Sequence, residues 1–153
     1  MFDVKITQSA PIPLAGIMFT GPYNQVGKAF EQLNALAASR GLHGPDQRVI
    51  GIYYDDPDVI AEIDLRTFAG ISIPENTDVE PPLEAAIIAG GRYAVFRYRG
   101  PYTGFEDCYE WIYGEWLKNC QFDLRDEPGF AQYLNPAHTT PSELLSDIYI
   151  PLQ

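Results

Sequence analysis

Between Ile12 and Thr20 the chain alternates, with Ala15, Ile17 and Phe19 on one face of an extended segment and Gly16, Met18 and Thr20 on the other. Pro11 and Pro13 divide residues 3 to 20 into two extended pieces. Gly21-Pro22 ends the second piece, because proline has no ladder donor and its ring suits the first turn of a helix. From Asn24 the spacing changes to Val26, Phe30, Leu33 and Ala37, a single helical stripe, and Gly41 stands where a helix would be capped. Val49 to Tyr54 is β-branched and aromatic and predicts a strand, cut by the turn cluster Asp55-Asp56-Pro57-Asp58. Glu62 to Ile73 predicts another strand with an irregular start. Leu83 to Ala89 is extended, Gly90-Gly91 turns, and Arg92 to Arg99 alternates with Ala94, Phe96 and Tyr98 on one face. A second helix is predicted from Tyr102 to about Asn119, its stripe formed by Phe105, Tyr109, Ile112 and Trp116. Strands over Phe130 to Leu134 and Asp147 to Pro151 follow, with one helical turn near Ser142 to Leu145 between them.

The second half repeats the plan of the first. Gly21-Pro22-Tyr23 recurs as Gly100-Pro101-Tyr102, 79 positions on. At that shift Ala15, Ile17 and Phe19 fall on Ala94, Phe96 and Tyr98, Phe30 on Tyr109, Leu33 on Ile112, Tyr54 on Tyr133 and Pro57 on Pro136. With a two-residue deletion, Ile71-Ser72-Ile73-Pro74 matches Ile148-Tyr149-Ile150-Pro151. Repetition in register predicts a duplicated supersecondary unit. The expected fold is α+β: two strand-helix-strand-strand units related by a pseudo-two-fold axis, forming a curved antiparallel sheet with two main helices. Residues 1–153 make one domain, with repeat 1 over about 1–74, a proline-rich linker over 75–82 and repeat 2 over about 83–153. A concave surface between the repeats is the expected pocket.

Charge narrows the function classes. Ten basic residues against 21 acidic ones give a net charge of −11, and no basic stripe exists. Phosphate backbones are bound by Lys and Arg that release counterions, so direct nucleic-acid binding is excluded. An acidic field instead draws cations or basic protein surfaces. The opening residues alternate like a strand and do not resemble a signal peptide, and the longest apolar run, Ala85 to Ala89, is too short to span a bilayer. A cytoplasmic location with no membrane partner is expected. Cys108 and Cys120 follow no metal or redox spacing and are read as reduced thiols. The acids Asp55, Asp56, Asp58 and Glu62 lack the glycine and order of a calcium loop and are read as a solvated turn. No catalytic signature, phosphate loop, metal site or cofactor motif is present, and His43 and His138 are isolated.

Aromatic residues stand out: ten Tyr, eight Phe and two Trp. Most are expected to fill the core. A cage of rings from both halves would also hold a ligand, since aromatic faces attract cations by about 0.5–2 kcal/mol. Tyr54 and Tyr133, related by the repeat, are the expected facing pair, with Trp111 next because it lies off the main helical stripe. Phe19 and Tyr98, also related by the repeat, are candidates too.

The stretches GPYNQVGKAFEQL, GIYYDDPDVIAEIDLR, IAGGRYAVFRYRGPY, DEPGFAQYLN and SDIYIPL, spread over nearly the whole chain, resemble the GyrI-like family. The Tyr-Tyr-Asp-Asp-Pro turn, followed by Glu62 and Leu65-Arg66, is the most specific element. The family is also described as the bacterial effector-binding domain. It occurs alone in DNA gyrase inhibitory protein and fused to AraC-type or MerR-type DNA-binding domains in multidrug regulators. The resemblance implies a pocket for lipophilic, often cationic, small molecules. It also implies, in some members, inhibition of gyrase, and in others hydrolysis of cyclopropane-bearing compounds. Partners would be a small molecule, with DNA gyrase or a separate regulator chain as alternatives. The family carries a buried glutamate where this chain has Ala131, and that acid pairs with a cationic ligand or acts in the hydrolases. Ala131 therefore suits a neutral aromatic or amphipathic ligand better and disfavours hydrolysis, unless Glu115, Glu106 or Glu110 substitutes from the second helix.

Overall fold

The structure, a computed structural model, describes residues 3–56, 58–101, 104–135 and 139–153. His138 and the Pro57–Pro136 match lie outside the described residues. The first half holds β1 (Asp3–Ser9), β2 (Ile12–Thr20), α1 (Gly27–Ser39), β3 (Val49–Tyr53) and β4 (Arg66–Ser72). The second holds β5 (Glu84–Ile88), β6 (Gly91–Arg99), α2 (Phe105–Trp111), β7 (Phe130–Tyr133) and β8 (Leu145–Leu152). Helix α2 runs on through a π-helical stretch, Ile112–Trp116, and a last turn, Leu117–Asn119.

Local chemistry accounts for the boundaries. Gly21 (φ 146°) and Gly100 (φ 141°) take a backbone conformation that side chains resist, and their N–H groups donate to Leu65 O and Leu144 O, both at 2.8 Å. Each repeat thus leaves its strand and turns toward its helix. Gly41 (φ 67°) ends α1 in the left-handed cap that its position suggests, with Leu42 N–H donating to Ala37 O at 2.9 Å.

All eight strands form one antiparallel sheet in the order β1-β6-β8-β7-β3-β4-β2-β5. That order cannot lie flat. Ser9 on β1 and Ile12 on β2 are three residues apart in sequence, a reach of about 11 Å, yet they lie on strands six places apart in the sheet, about 29 Å at ordinary spacing. The short link between β5 and β6 imposes the same constraint. The sheet therefore curls until two of its corners meet, and at that point Gly90 packs against Pro11.

Curling gives the sheet two covered faces rather than the single core face that the alternation of β2 suggested. The inward face carries no helix and is filled by its own side chains, among them Leu14, Ile50, Phe68, Tyr93 and Phe130, each at most 2% exposed. Burial of one such side chain stabilises by about 1.5–3 kcal/mol. On the outward face α1 covers Ala15, Ala69 and Ile71 through Ala29, Leu33 and Ala37, while α2 covers Ala94, Phe96 and Ile148 through Cys108 and Ile112. The concave side of the sheet is thus lined by this cluster, and both helices lie on the opposite side.

The hydrogen bonds also correct the repeat alignment. Thr20 pairs with Arg66 and Arg99 with Leu145, so the 79-residue shift continues into the last strands, Ile71 corresponds to Ile150, and no deletion intervenes.

Candidate functional site

The two repeats meet where β3 pairs with β7, with Ile50 opposite Gln132, Gly51 opposite Ala131 and Ile52 opposite Phe130. Tyr53 pairs with Thr67 and Tyr133 with Ser146. Thr67 and Ser146 are 79 apart, whereas Tyr53 and Tyr133 are 80 apart. The shift gains one residue at the third strand of each repeat and loses it at the fourth. The pseudo-two-fold axis therefore passes between Gly51 and Ala131, and the counterpart of Tyr133 is Tyr53.

This corrects the expected pair. One residue along a strand reverses the direction of a side chain, so Tyr54 joins the inward cluster, where Arg66 lies 5.5 Å from its ring centroid. Tyr53, Gly51, Ala131 and Tyr133 face the helices. The Tyr53 and Tyr133 hydroxyls hydrogen-bond to each other above the axis. They fit because the floor is nearly bare: a Cβ at Gly51 would lie 2.8 Å from Tyr133 Oη and 3.3 Å from Tyr53 Oη.

Rings from both repeats close around this pair. Tyr23 meets Tyr53 edge-on at 4.9 Å, Phe30 meets Tyr133 edge-on at 5.4 Å, and Phe105 lies parallel to Tyr133, 7° between planes at 6.4 Å. Tyr109 is stacked with Tyr113 at 6.4 Å. Burial pushes the Tyr109 phenol well above its usual range, and the nearby Tyr53 and Tyr113 phenols push the same way. Tyr109 is a neutral wall, not a base. The Tyr23 hydroxyl donates to Asp55 O at 2.6 Å and ties this wall to the acidic turn. Asp55 itself is committed to Arg66, whose guanidinium hydrogen bonds hold its carboxyl below the usual range. Among the described residues no three His, Cys, Asp or Glu side chains converge as metal ligands.

Two hydroxyls beneath these rings have no hydrogen-bond partner among the described residues, Thr67 Oγ1 and Ser146 Oγ, and both residues are fully buried. A buried hydroxyl left unpaired costs about 1–3 kcal/mol. They are symmetric about the axis.

Of the other sequence candidates, Ala131 is fully buried at the axis. Tyr98 donates its hydroxyl to Pro101 O at 2.8 Å and meets Phe105 edge-on at 5.3 Å, at the rim of the ring cluster. Phe19, its counterpart, packs in the α1 layer beside Gly21. Trp111 packs on Phe96 of β6, two strands from β7, and Glu115 is exposed with its carbonyl accepting from Asn119. Cys108 is buried and its thiol is pushed up to about 11 by desolvation, so it is no nucleophile.

The profile of the GyrI-like small molecule binding domain matches residues 2–153. The chain belongs to the GyrI-like family. The DNA gyrase inhibitor of Citrobacter koseri is 28% identical over 155 residues, covering 99% of this chain and 98% of that protein. The DNA gyrase inhibitor of Escherichia coli K12 is 28% identical over 137 residues, 87% of this chain and 86% of that one. Among solved structures, the EcmrR C-terminal domain superposes with a TM-score of 0.77 at 12% identity, covering 100% of this chain and 98% of that one. EcmrR in complex with DNA gives 0.84 at 12% identity, and there this chain spans 57% of the other's length. SAV2435 bound to tetraphenylphosphonium gives 0.67 at 14% identity, covering 99% of this chain and 94% of that one. At such identities the likeness establishes the fold. Among the described residues of this GyrI-like domain no helix is long and apolar enough to cross a membrane.

Sequence reasoning missed Tyr53, Gly51, Thr67 and Ser146 in this GyrI-like domain. The signal for Tyr53 was present in the pair Tyr53-Tyr54, since the face opposite the β-branched Ile50 and Ile52 is the one that a helix must cover. Nothing in the sequence marks the hydroxyls, because Ser and Thr in strands are ordinary.

Proposed function

We propose that this chain is a small-molecule-binding domain whose ligand enters between the helices above the Gly51–Ala131 pair and is walled by Tyr23, Phe30, Tyr53, Phe105, Tyr109 and Tyr133. The observation that supports this most is the convergence of rings from both repeats, Phe105 buried and the others half-buried, over a floor with no side chain larger than a methyl group. Such a floor lets two tyrosine rings lean over the axis, and a ligand that displaces them inherits an apolar slot of aromatic faces with phenol oxygens at hand. An acid at the axis would favour a cation. Gly51 and Ala131 supply none, and an unpaired charge there would be heavily penalised. A lipophilic aromatic or amphipathic ligand fits.

The test is a fluorescence titration with a panel of aromatic dyes, cationic and neutral. Saturable binding that weakens at least tenfold in Tyr133→Ala and stays unchanged in Trp111→Ala is expected. A Tyr133→Ala variant that remains folded by circular dichroism and binds as tightly as the natural chain would remove the site from the axis.

Regulation of DNA gyrase is a second reading, favoured by curated relatives that carry that description over nearly their full length and by the net charge of −11, which suits a basic partner. Gyrase supercoiling assayed with increasing protein should fall, and the inhibition should weaken as salt rises. Supercoiling indifferent to a large molar excess would end this reading. Hydrolysis requires an acid and a positioned water over the substrate, and the two residues at the axis offer neither.

A further inference from the structure

Ser146 and Thr67 present the same chemistry in two different settings. Each hydroxyl is buried, unpaired among the described residues and flanked on the helix-facing side of the sheet by two ring-bearing neighbours. Ser146 lies between Tyr98 and Tyr133, Thr67 between Phe19 and Tyr53. The settings diverge above them. Phe105 bridges the second pair, meeting Tyr98 edge-on at 5.3 Å and lying parallel to Tyr133 at 6.4 Å. Its counterpart 79 residues earlier is Val26, which has no ring. Among the described residues it is therefore the Ser146 side that has two parallel aromatic rings beside such a hydroxyl. Admitting a third ring between them requires about 7 Å between planes, twice the ~3.5 Å contact distance of carbon atoms, so the rings must part to receive it. Phe105 is the first residue of α2, and Tyr133 the last of β7. Both stand at element ends.

We propose that the ligand of this site is a planar, uncharged aromatic molecule that enters between Phe105 and Tyr133 and pairs an oxygen or nitrogen on its edge with Ser146 Oγ. This rests on the small-molecule reading above and specifies the ligand class. A hydroxyl donates or accepts with equal ease, so Ser146 selects for a polar edge without demanding charge. Buried polar groups in folded proteins are nearly always paired, and a polar ligand edge would serve this one as a partner. Asp55 is held by Arg66, and Asp107, the acid that acts on the Tyr98 phenol, is exposed on α2.

The test uses three probes on the full chain: 9-acridone, planar and neutral with a carbonyl and an N–H on its edges; anthracene, the same shape without them; and tetraphenylphosphonium, a non-planar cation. Affinities are measured for the natural chain, Ser146→Ala and Thr67→Val. The expected result is that acridone binds the natural chain at least tenfold more tightly than Ser146→Ala, that Thr67→Val loses several-fold less than Ser146→Ala, and that anthracene binds all three alike. Unfolding by urea should show Ser146→Ala no less stable than the natural chain, since it loses no hydrogen bond. Equal acridone affinity in Ser146→Ala would overturn the role of Ser146 while leaving a binding site between the helices. Binding of tetraphenylphosphonium without acridone, lost in Tyr133→Ala, would overturn the ligand class and keep the site. Silence from all three probes would overturn both this inference and the small-molecule reading.

Discussion

Gly51 controls the arrangement above the axis because the Tyr133 hydroxyl occupies the place of its missing side chain. Gly51→Ala should destabilise by about 1–3 kcal/mol through overpacking. Combining it with Tyr133→Phe, which removes the crowding oxygen, should return part of that loss. Urea midpoints of the two single variants and the double variant measure it, and strict additivity would show that the methyl and the phenol do not compete. At the acidic turn Arg66 holds the Asp55 carboxyl below its unfolded value. A depressed acid contributes stability above its unfolded pKa and loses it as pH falls through the folded one. Asp55→Asn should therefore be less stable than the natural chain near neutrality, and the two should converge below about pH 4; a gap that persists to pH 2 would assign the effect to something other than charge. The Tyr53–Tyr54 choice shows where sequence stopped short. A fixed shift aligned Tyr54 with Tyr133 because it could not register one residue gained before a strand and lost after it. With a side-chain period of two, that single residue moves the counterpart of Tyr133 to the opposite face of the sheet.

Both helices were legible from their stripes, and Gly41 from its cap, because amphipathic spacing and turn chemistry are local. The π-helical stretch was not. Its wider turn sets Trp111 and Trp116, five residues apart, on the same ring of Phe96, edge-on at 6.1 and 4.9 Å. This explains why Trp111, off the ideal stripe, is nevertheless a packing residue. Trp111→Ala should lower stability by about 2–4 kcal/mol, the cost of a large ring removed from a partly buried layer, as read from urea unfolding. Cys108 shares that layer, with its thiol pushed up to about 11 by burial. A disulfide reagent at pH 8 should leave Cys108 unmodified until the protein is unfolded, whereas half-buried Cys120 is open to slow reaction. Rapid labelling of both thiols in the native state would show that the layer beneath α2 opens freely.

For the whole molecule, the duplication and the eight strands were readable, but the closure of the sheet was not, because it depends on which strands neighbour each other. That order is decided by contacts far apart in sequence. The two short links and the shared inward cluster tie both halves into one cooperative unit. Urea unfolding followed by tryptophan emission, which reports only the second half, should coincide with unfolding followed by far-ultraviolet circular dichroism. Separate transitions would mean that one repeat can stand alone. The strand order argues otherwise, since β1 pairs with β6 and β5 pairs with β2. Each repeat lends its first strand to the other. A polypeptide of one repeat would carry an arm with nothing of its own to clasp, and could complete its sheet only by exchanging arms with a twin. The chain thus has the form of an arm-swapped homodimer whose two copies were joined end to end, with Pro74 to Pro82 as the seam. In a joined form Gly51 and Ala131, and Phe105 and Val26, are free to differ, and the two sides of the axis need not be equal.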